Sequence, residues 1–250
     1  METKNKLVRI SKLISHAGVC SRKEAEELIV SGRVKVNNKI FKDFFVSSDK
    51  IFSIKVNNKL ISKKSTRVWI FHKPTGFVSS NKEQFAQKSL FRLISKNYPR
   101  MVSVGRLDIN SEGLMILTNN PTLANFFESP SNKIERKYLV KVFGHMHTNF
   151  NKEFQNSIFI DGILYNNVKI KNLTKKKNNN LLEVKLIEGK NKKKKKILNH
   201  FQLKVKKLTR VSYGPFKLNN LEKGKIVEID YSILINILKS MKFKDENSLW

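Results

Sequence analysis

Apolar positions in the first sixty residues switch between helical and strand spacing. Ile10, Leu13, Ile14 and Ala17 share one face of a short amphipathic helix over Arg9–Ala17, and Gly18 sits where a C-terminal cap belongs. Ser21-Arg-Lys-Glu24 matches a capping box. Ala25, Leu28 and Ile29 follow at core spacing, and Gly32 ends the run. Arg33–Val36 and Ile51–Val56 alternate like half-buried strands, and each leads into an Asn-Asn pair suited to a tight turn. The polar stretch at 62–66, Ser-Lys-Lys-Ser-Thr, reads as a linker. Strand patterns then follow at Val68–Phe71, Gly113–Thr118, Tyr138–Phe143, Val168–Ile170, Leu181–Ile187, Leu203–Ser212 and Lys225–Ile229. Lys73-Pro-Thr-Gly76 is a turn, after which Phe77 and Val78 resume extended structure. Short helices are expected at Ser89–Lys96 and Pro121–Glu128. Strands outnumber helices, so the larger region should be a mixed sheet with helices packed on it.

Composition narrows the class. Hydrophobic residues make up 40% of the 250, enough for a packed core. The formal charge is +30, which points to a polyanionic partner. Only nine of the 50 basic residues are arginine, and Lys, Asn, Ile and Phe are abundant together, as the codons of an AT-rich genome favour. Charge alone therefore carries less weight than its size suggests. Cys20 is the single cysteine, so an internal disulfide and a cysteine-based zinc site are excluded. No apolar run approaches the ~20 residues that span a membrane. The first ten residues lack the apolar core of a signal peptide. A cytoplasmic protein with no membrane partner is the expectation.

One segment carries chemistry. Gly105-Arg-Leu-Asp-Ile-Asn-Ser-Glu-Gly113 is a polar loop holding Asp108 directly before a buried strand. Arg106 lies two positions away, and a nearby positive charge favours the ionised form of a carboxylic acid. Such a carboxylate can serve as nucleophile or general base. Two plainer readings compete. Asp108-x-Asn110-x-Glu112-Gly113 imitates the start of a calcium loop, but the position for the bidentate Glu is Asn119 and the flanks read as strand. The other plain reading is that Asp108 caps a turn. His145-Met-His147 is the sole close histidine pair, on a Lys-rich stretch, and no metal site is assigned.

The stretch RISKLISHAGVCSRKEAEELIVSGRVKVNNKI resembles the S4 RNA-binding domain. The resemblance implies RNA contacts from Lys12, Arg22, Lys23 and Arg33, which bracket two helix ends where phosphates can dock. A generic helix-turn-helix leading into strands is the alternative. Further on, GRLDINSEGLMILTN resembles the signature loop of RsuA-type pseudouridine synthases, which act on ribosomal RNA. WIFHKPTGFVSS and ERKYLVKV are similar to two more segments of that family, and an S4 domain followed by the catalytic domain is its usual order. The fold class implied is α+β: a small S4 domain plus a larger mixed α/β pseudouridine synthase domain on a mainly antiparallel sheet. The expected boundaries are 7–61 for the S4 domain, 62–67 for a linker, 68–240 for the catalytic domain and 241–250 for a tail.

The family's chemistry can be carried to residues here. Asp108 would be the catalytic aspartate of a reaction without metal, nucleotide or other cofactor. The N1–C1′ bond of a uridine breaks, the base rotates, and C5 joins C1′. Attack at C1′ and a glycal-type route are both open. Tyr138 would lie against the base and assist proton transfer, unless it is simply a packed strand aromatic. Arg106 would hold the backbone of the flipped nucleotide, with Arg136 and Lys73 as further RNA contacts. The family's third motif, close to E-G-R-N-R-Q-V-R-R-M, reads Glu188-Gly-Lys-Asn-Lys-Lys-Lys-Lys-Lys-Ile197 here. Lys195 falls where the family has an arginine beside the aspartate, and lysine cannot form the bidentate pair. Either Lys195 substitutes, or the frame slips or activity is weakened; codon drift in a solvated run is the plain alternative. The segment at 210–216, Arg-Val-Ser-Tyr-Gly-Pro-Phe, resembles members acting on large-subunit rRNA. The expected partner is ribosomal RNA or a ribosome-assembly intermediate, not DNA, bound by a monomer. The rival reading is a non-catalytic rRNA-binding or assembly protein that keeps the fold.

Overall fold

The computed structural model describes residues 7–62, 64–81, 83, 86–145, 158–160, 163–165, 168–174, 178–187 and 203–244. The third-motif run with Lys195, and His147, lie outside the described residues. Among the described residues no helix is long and apolar enough to cross a membrane.

The N-terminal module comprises β1 (Leu7–Arg9), α1 (Ile10–His16), α2 (Arg22–Val30), β2 (Val34–Val36), β3 (Lys39–Ile40), β4 (Phe45–Ser47), β5 (Ile54–Val56) and β6 (Lys59–Leu60). The capping box forms as expected: the Glu24 amide donates to Ser21 Oγ at 3.2 Å, and the Ser21 amide donates to the Glu24 carboxylate at 2.9 Å. Both Asn-Asn pairs turn with left-handed backbone, φ 51° and 66° at Asn37 and Asn38, 50° and 63° at Asn57 and Asn58. Asparagine tolerates that region because its side chain bonds locally. The strand expected from Ile51 starts only at Ile54. The cause is Asn37, whose side-chain oxygen accepts from the amides of Phe52 at 2.8 Å and Ser53 at 3.1 Å. β3, β2, β5 and β6 form one antiparallel sheet, and its Val34, Val36, Ile54 and Val56 close a small core with α1 and α2.

The larger region contains β7 (Val68–Lys73), β8 (Val102–Val104), β9 (Glu112–Thr118), α3 (Pro121–Glu128), β10 (Arg136–Phe143), β11 (Ile158–Ile160), β12 (Ile163–Tyr165), β13 (Val168–Asn172), β14 (Asn179–Leu186), β15 (Lys204–Tyr213), β16 (Phe216–Lys217), β17 (Ile226–Glu228) and α4 (Tyr231–Ser240). Its main sheet runs β13-β14-β10-β15-β9-β7-β17, with β16 on β15 and β8 on β9. Among the described residues every pairing in it is antiparallel except β15 with β9. Mean architecture therefore matches the α+β expectation of a mainly antiparallel sheet. One core, with Trp69, Phe71, Met115, Tyr138 and Val140, covers one face. A second, with Ile70, Leu114, Phe127 and Tyr213, packs under α3 and α4.

Two elements depart from the periodicity. The expected helix at Ser89–Lys96 is a single 3-10 turn over Leu90–Leu93. Ser89 instead bridges Val78, and the Leu90 amide donates to Val78 O at 2.9 Å, so a tertiary pairing claims the backbone that a helix would need. α4 lies beyond the expected elements; Leu234 and Leu238 are its buried face.

The parallel junction brings two backbones into close approach. Gly113 pairs with Arg210 at φ +111°, and a β-carbon there would lie 2.3 Å from Arg210 O and 2.6 Å from Arg210 N. Neither partner atom is a side chain that can swing away. Gly113→Ala is expected to destabilise the protein by about 3 kcal/mol or more. Chemical denaturation measures it; a loss below about 0.5 kcal/mol would show that the seam yields easily.

Candidate active site

The loop carrying Asp108 leaves β8 and re-enters the sheet at β9. It is clamped from three sides. The Lys73 ammonium, at the end of β7, donates to the carbonyls of Ser111 at 2.8 Å, Pro74 at 3.0 Å and Asp108 at 3.2 Å. The Gly76 amide donates to Ile109 O at 2.8 Å. Ser79 Oγ donates to Leu107 O at 3.0 Å and accepts from the Leu107 amide at 3.1 Å. Within the loop, the Ser111 amide donates to Asp108 O at 2.9 Å, a turn of the kind expected at an aspartate. The backbone is thus fixed while Asp108 itself stays half-buried and Arg106 exposed.

Strand register sets the floor beneath the loop. Tyr138 pairs with Arg210, Arg210 with Gly113, and Gly113 with Lys73, so the four stand in one row across β10, β15, β9 and β7. The β10–β15 ladder shifts register between Lys137 and Tyr138, a bulge of the sort that re-aims a side chain. Tyr138 is buried in the same cluster as Leu107 of the loop. Arg210 is 1% exposed; its Nε donates to Leu114 O at 2.7 Å and its guanidinium lies 5.0 Å from the Tyr213 ring centre.

Two expected RNA contacts take other roles. Lys73 is fully buried, and its ammonium is engaged by three carbonyls. Arg136 is 7% exposed; it donates to Ile187 O at 3.1 Å and to Tyr213 Oη at 2.6 Å, and stacks 4.4 Å from that ring's centre. Neither guanidinium nor ammonium is presented to a phosphate, so both are removed from the contact set. Lys12, Arg22, Lys23 and Arg33 remain on the surface of the N-terminal module, and Arg33 Nε donates to Asn57 Oδ1 at 2.7 Å. Sequence alone assigns no site role to Arg210 or Ser79, and weighs Glu112 only within a calcium-loop pattern. Glu112 stood inside the signature loop, which was the available signal.

Charge is concentrated here. Burial pushes the Lys73 pKa down to about 8, opposed by the Asp108 carboxylate, deepened by Arg210 and opposed again by Glu112. Lys73 thus still carries its proton at neutral pH. Glu112, 4% exposed, is subject to desolvation that favours its neutral form, but hydrogen bonds from Lys207 at 2.7 Å and Lys223 at 2.9 Å overcome it. Thr209 Oγ1 adds a third donor at 3.1 Å, and the pKa falls to about 2.

A family model described as RNA pseudouridylate synthase matches residues 67–200, and one described as S4 domain matches residues 8–43. An uncharacterised RNA pseudouridine synthase of Rickettsia typhi is 42% identical over 94% of this chain and 96% of its own length. Ribosomal large subunit pseudouridine synthase B is 31% identical in Buchnera aphidicola, over 95% of this chain and 98% of the relative. The Bacillus subtilis protein of the same name is 30% identical, over 88% and 91%. A solved pseudouridylate synthase structure shares the fold with a TM-score of 0.63 at 23% identity, covering 92% of this chain and 99% of that one.

The Glu112 cluster generates a pH signature. Its folded-state pKa lies below the ordinary 4.5, so its stabilisation is complete above about pH 4.5 and is lost as pH falls through about 2. The half-exposed lysines are screened, leaving about 2 kcal/mol. Unfolding free energies measured between pH 5 and pH 2 should decline less steeply in Glu112→Gln by that amount; identical acid limbs would refute the pairing. Lys73→Met, which strips three carbonyls of their donor, should cost about 2–4 kcal/mol and speed amide exchange at Ile109 and Ser111.

Proposed function

This chain belongs to the RNA pseudouridylate synthase family, which converts uridine to pseudouridine within RNA, and from that premise we propose that its substrate is large-subunit ribosomal RNA and that Asp108 is the catalytic carboxylate. The observation that carries the assignment of Asp108 is the clamped loop. Lys73, Gly76 and Ser79 immobilise its backbone through contacts to the main chain, so among the described residues the Asp108 carboxylate is not spent on holding the loop. A preorganised group avoids reorganisation in the transition state.

The target uridine leaves its stack and enters beside the loop. Asp108 acts on the sugar side as the N1–C1′ bond breaks. The detached uracil rotates against Tyr138 until C5 meets C1′, and the C5 proton is then lost while N1 regains one. The reaction is an isomerisation and balances without a co-reactant. Tyr138 offers a flat apolar face and a polar tip, both suited to a rotating base. Arg106, exposed on the loop, holds the displaced backbone; Lys12, Arg22, Lys23 and Arg33 contact RNA from the N-terminal module. The names of the Buchnera and Bacillus relatives support the large-subunit assignment. Work on ribosomal RNA in a bacterial cell supports a cytoplasmic location, and we propose that the protein acts there as a monomer.

A second reading, an rRNA-binding protein with little catalysis, is favoured by one observation: lysines at 192–196 replace the arginine-bearing core of the third motif. Tritium release from C5-labelled large-subunit rRNA, prepared from cells lacking the enzyme, separates the two. The wild type should release label at one site, and Asp108→Asn should lower the rate by roughly a thousandfold or more. Lys195→Arg should raise turnover if Lys195 pairs with Asp108. Binding without release from any rRNA would favour the second reading.

A further inference from the structure

Strand alternation leaves one half-sheet face outside both cores. On β10 and β14 the even-numbered residues, Tyr138 and Val184 among them, pack into the core on the active-site side. The odd-numbered residues project from the opposite face. None of the residues packed under α3 and α4 comes from β10, β13 or β14, so among the described residues no helix covers this face.

What stands there is basic and in register. Lys169 pairs with Lys185, and Lys185 with Lys137, so three lysines sit side by side on adjacent strands. In the next row Lys171 pairs with Glu183, and one row further Lys141 pairs with Lys207. Glu183 lies 3.3 Å from the Lys137 ammonium and 3.7 Å from that of Lys185, and Glu112 takes Lys207 at 2.7 Å. Lys141, Lys169 and Lys171 are exposed and make no ion pair among the described residues. Six lysines thus meet two glutamates on one face. Like charges directly opposite each other on neighbouring strands destabilise a sheet. Glu183 and Glu112 offset part of the repulsion, and among the described residues Lys141, Lys169 and Lys171 remain without an ion pair; a polyanion laid across the rows would neutralise them.

We propose that this face is a second RNA-binding platform, which holds the phosphate backbone of the substrate on the side of the sheet opposite Tyr138. It rests on the reading of RNA as substrate and extends it. Lysine ammoniums on a flat sheet supply charge without base-edge geometry, so the platform anchors RNA irrespective of sequence. A large RNA would then be gripped on two faces, one for chemistry and one for retention.

The test is a charge-matched pair of triple variants, Lys141→Gln/Lys169→Gln/Lys171→Gln and Lys217→Gln/Lys225→Gln/Lys239→Gln, the second set being exposed elsewhere. Affinity for a full-length large-subunit rRNA transcript is measured across a salt series. The platform variant should bind about tenfold or more weakly, with a log–log salt slope shallower by roughly two to three, while the control changes little. Its thermal midpoint should equal or exceed the wild type's, since repulsion is relieved. In the unaltered protein, the transcript should shield Lys141, Lys169 and Lys171 from amine acylation. Equal losses in both variants, or unchanged acylation on binding, would overturn the platform. A wild type that binds no rRNA would instead overturn the substrate reading itself.

Discussion

The contact between Gly113 and the Arg210 backbone governs the arrangement of everything catalytic. Among the described residues it is the one place in the main sheet where neighbouring strands run parallel. Through it, β7, β8 and β9 are joined to β10, β13 and β14, and the ladder rows continue unbroken from Lys73 to Tyr138. The Asp108 loop ends one residue before this seam. Its position relative to the sheet floor is therefore set by backbone approach, which has far less slack than side-chain packing.

The basic residues divide by depth. Lys73, Arg136 and Arg210 are buried, and they give their hydrogen bonds to main-chain carbonyls, a tyrosine and the Met115 sulfur. Their charge supports architecture around the loop. Arg136 and Arg210 both lie against Tyr213, whose hydroxyl in turn donates to Phe127 O at 2.9 Å and ties α3 to β15. Burial raises the Tyr213 pKa even beside these cations, so the phenol keeps its proton for that bond. The exposed lysines and arginines are the ones left to meet RNA. A net charge of +30 says nothing about this division.

Local codes were readable from the chain and long-range ones were not. The capping box at Ser21, the two Asn-Asn turns and the helix from Pro121 depend on residues within four positions of each other, and each forms where the pattern placed it. The 3-10 turn after Ser89 and the late start of β5 reflect partners nine to sixteen residues away in the chain, beyond the reach of periodicity. The site shows the same split. Asp108, Arg106 and Tyr138 were assigned through the resemblance of their segments to those of the family, a match of consecutive residues that needs no knowledge of register. The inward turning of Lys73 and Arg136 depended on strand register, since a basic side chain at a strand position reads as solvent-facing until its neighbours are known. Arg210 was read only as the head of the 210–216 segment, and its buried position went unread for the same reason.

The linker end of the main sheet bears on how the protein is made. Arg67, just before β7, donates two hydrogen bonds to Glu228 of β17, 161 positions later, and its guanidinium covers the Trp69 ring at 4.9 Å. β17 is also the edge partner of β7. The N-terminal module draws its core from within about fifty consecutive residues, so it can fold as soon as it leaves the ribosome. β7 must wait for its outer partner while the intervening chain is synthesised, roughly 8–30 s at ordinary elongation rates. During that interval one of the most apolar strands of the protein has an open edge. The order of synthesis thus yields a finished N-terminal module tethered to an unfinished sheet, and the nascent chain has a folded, basic head before its apolar strands are closed.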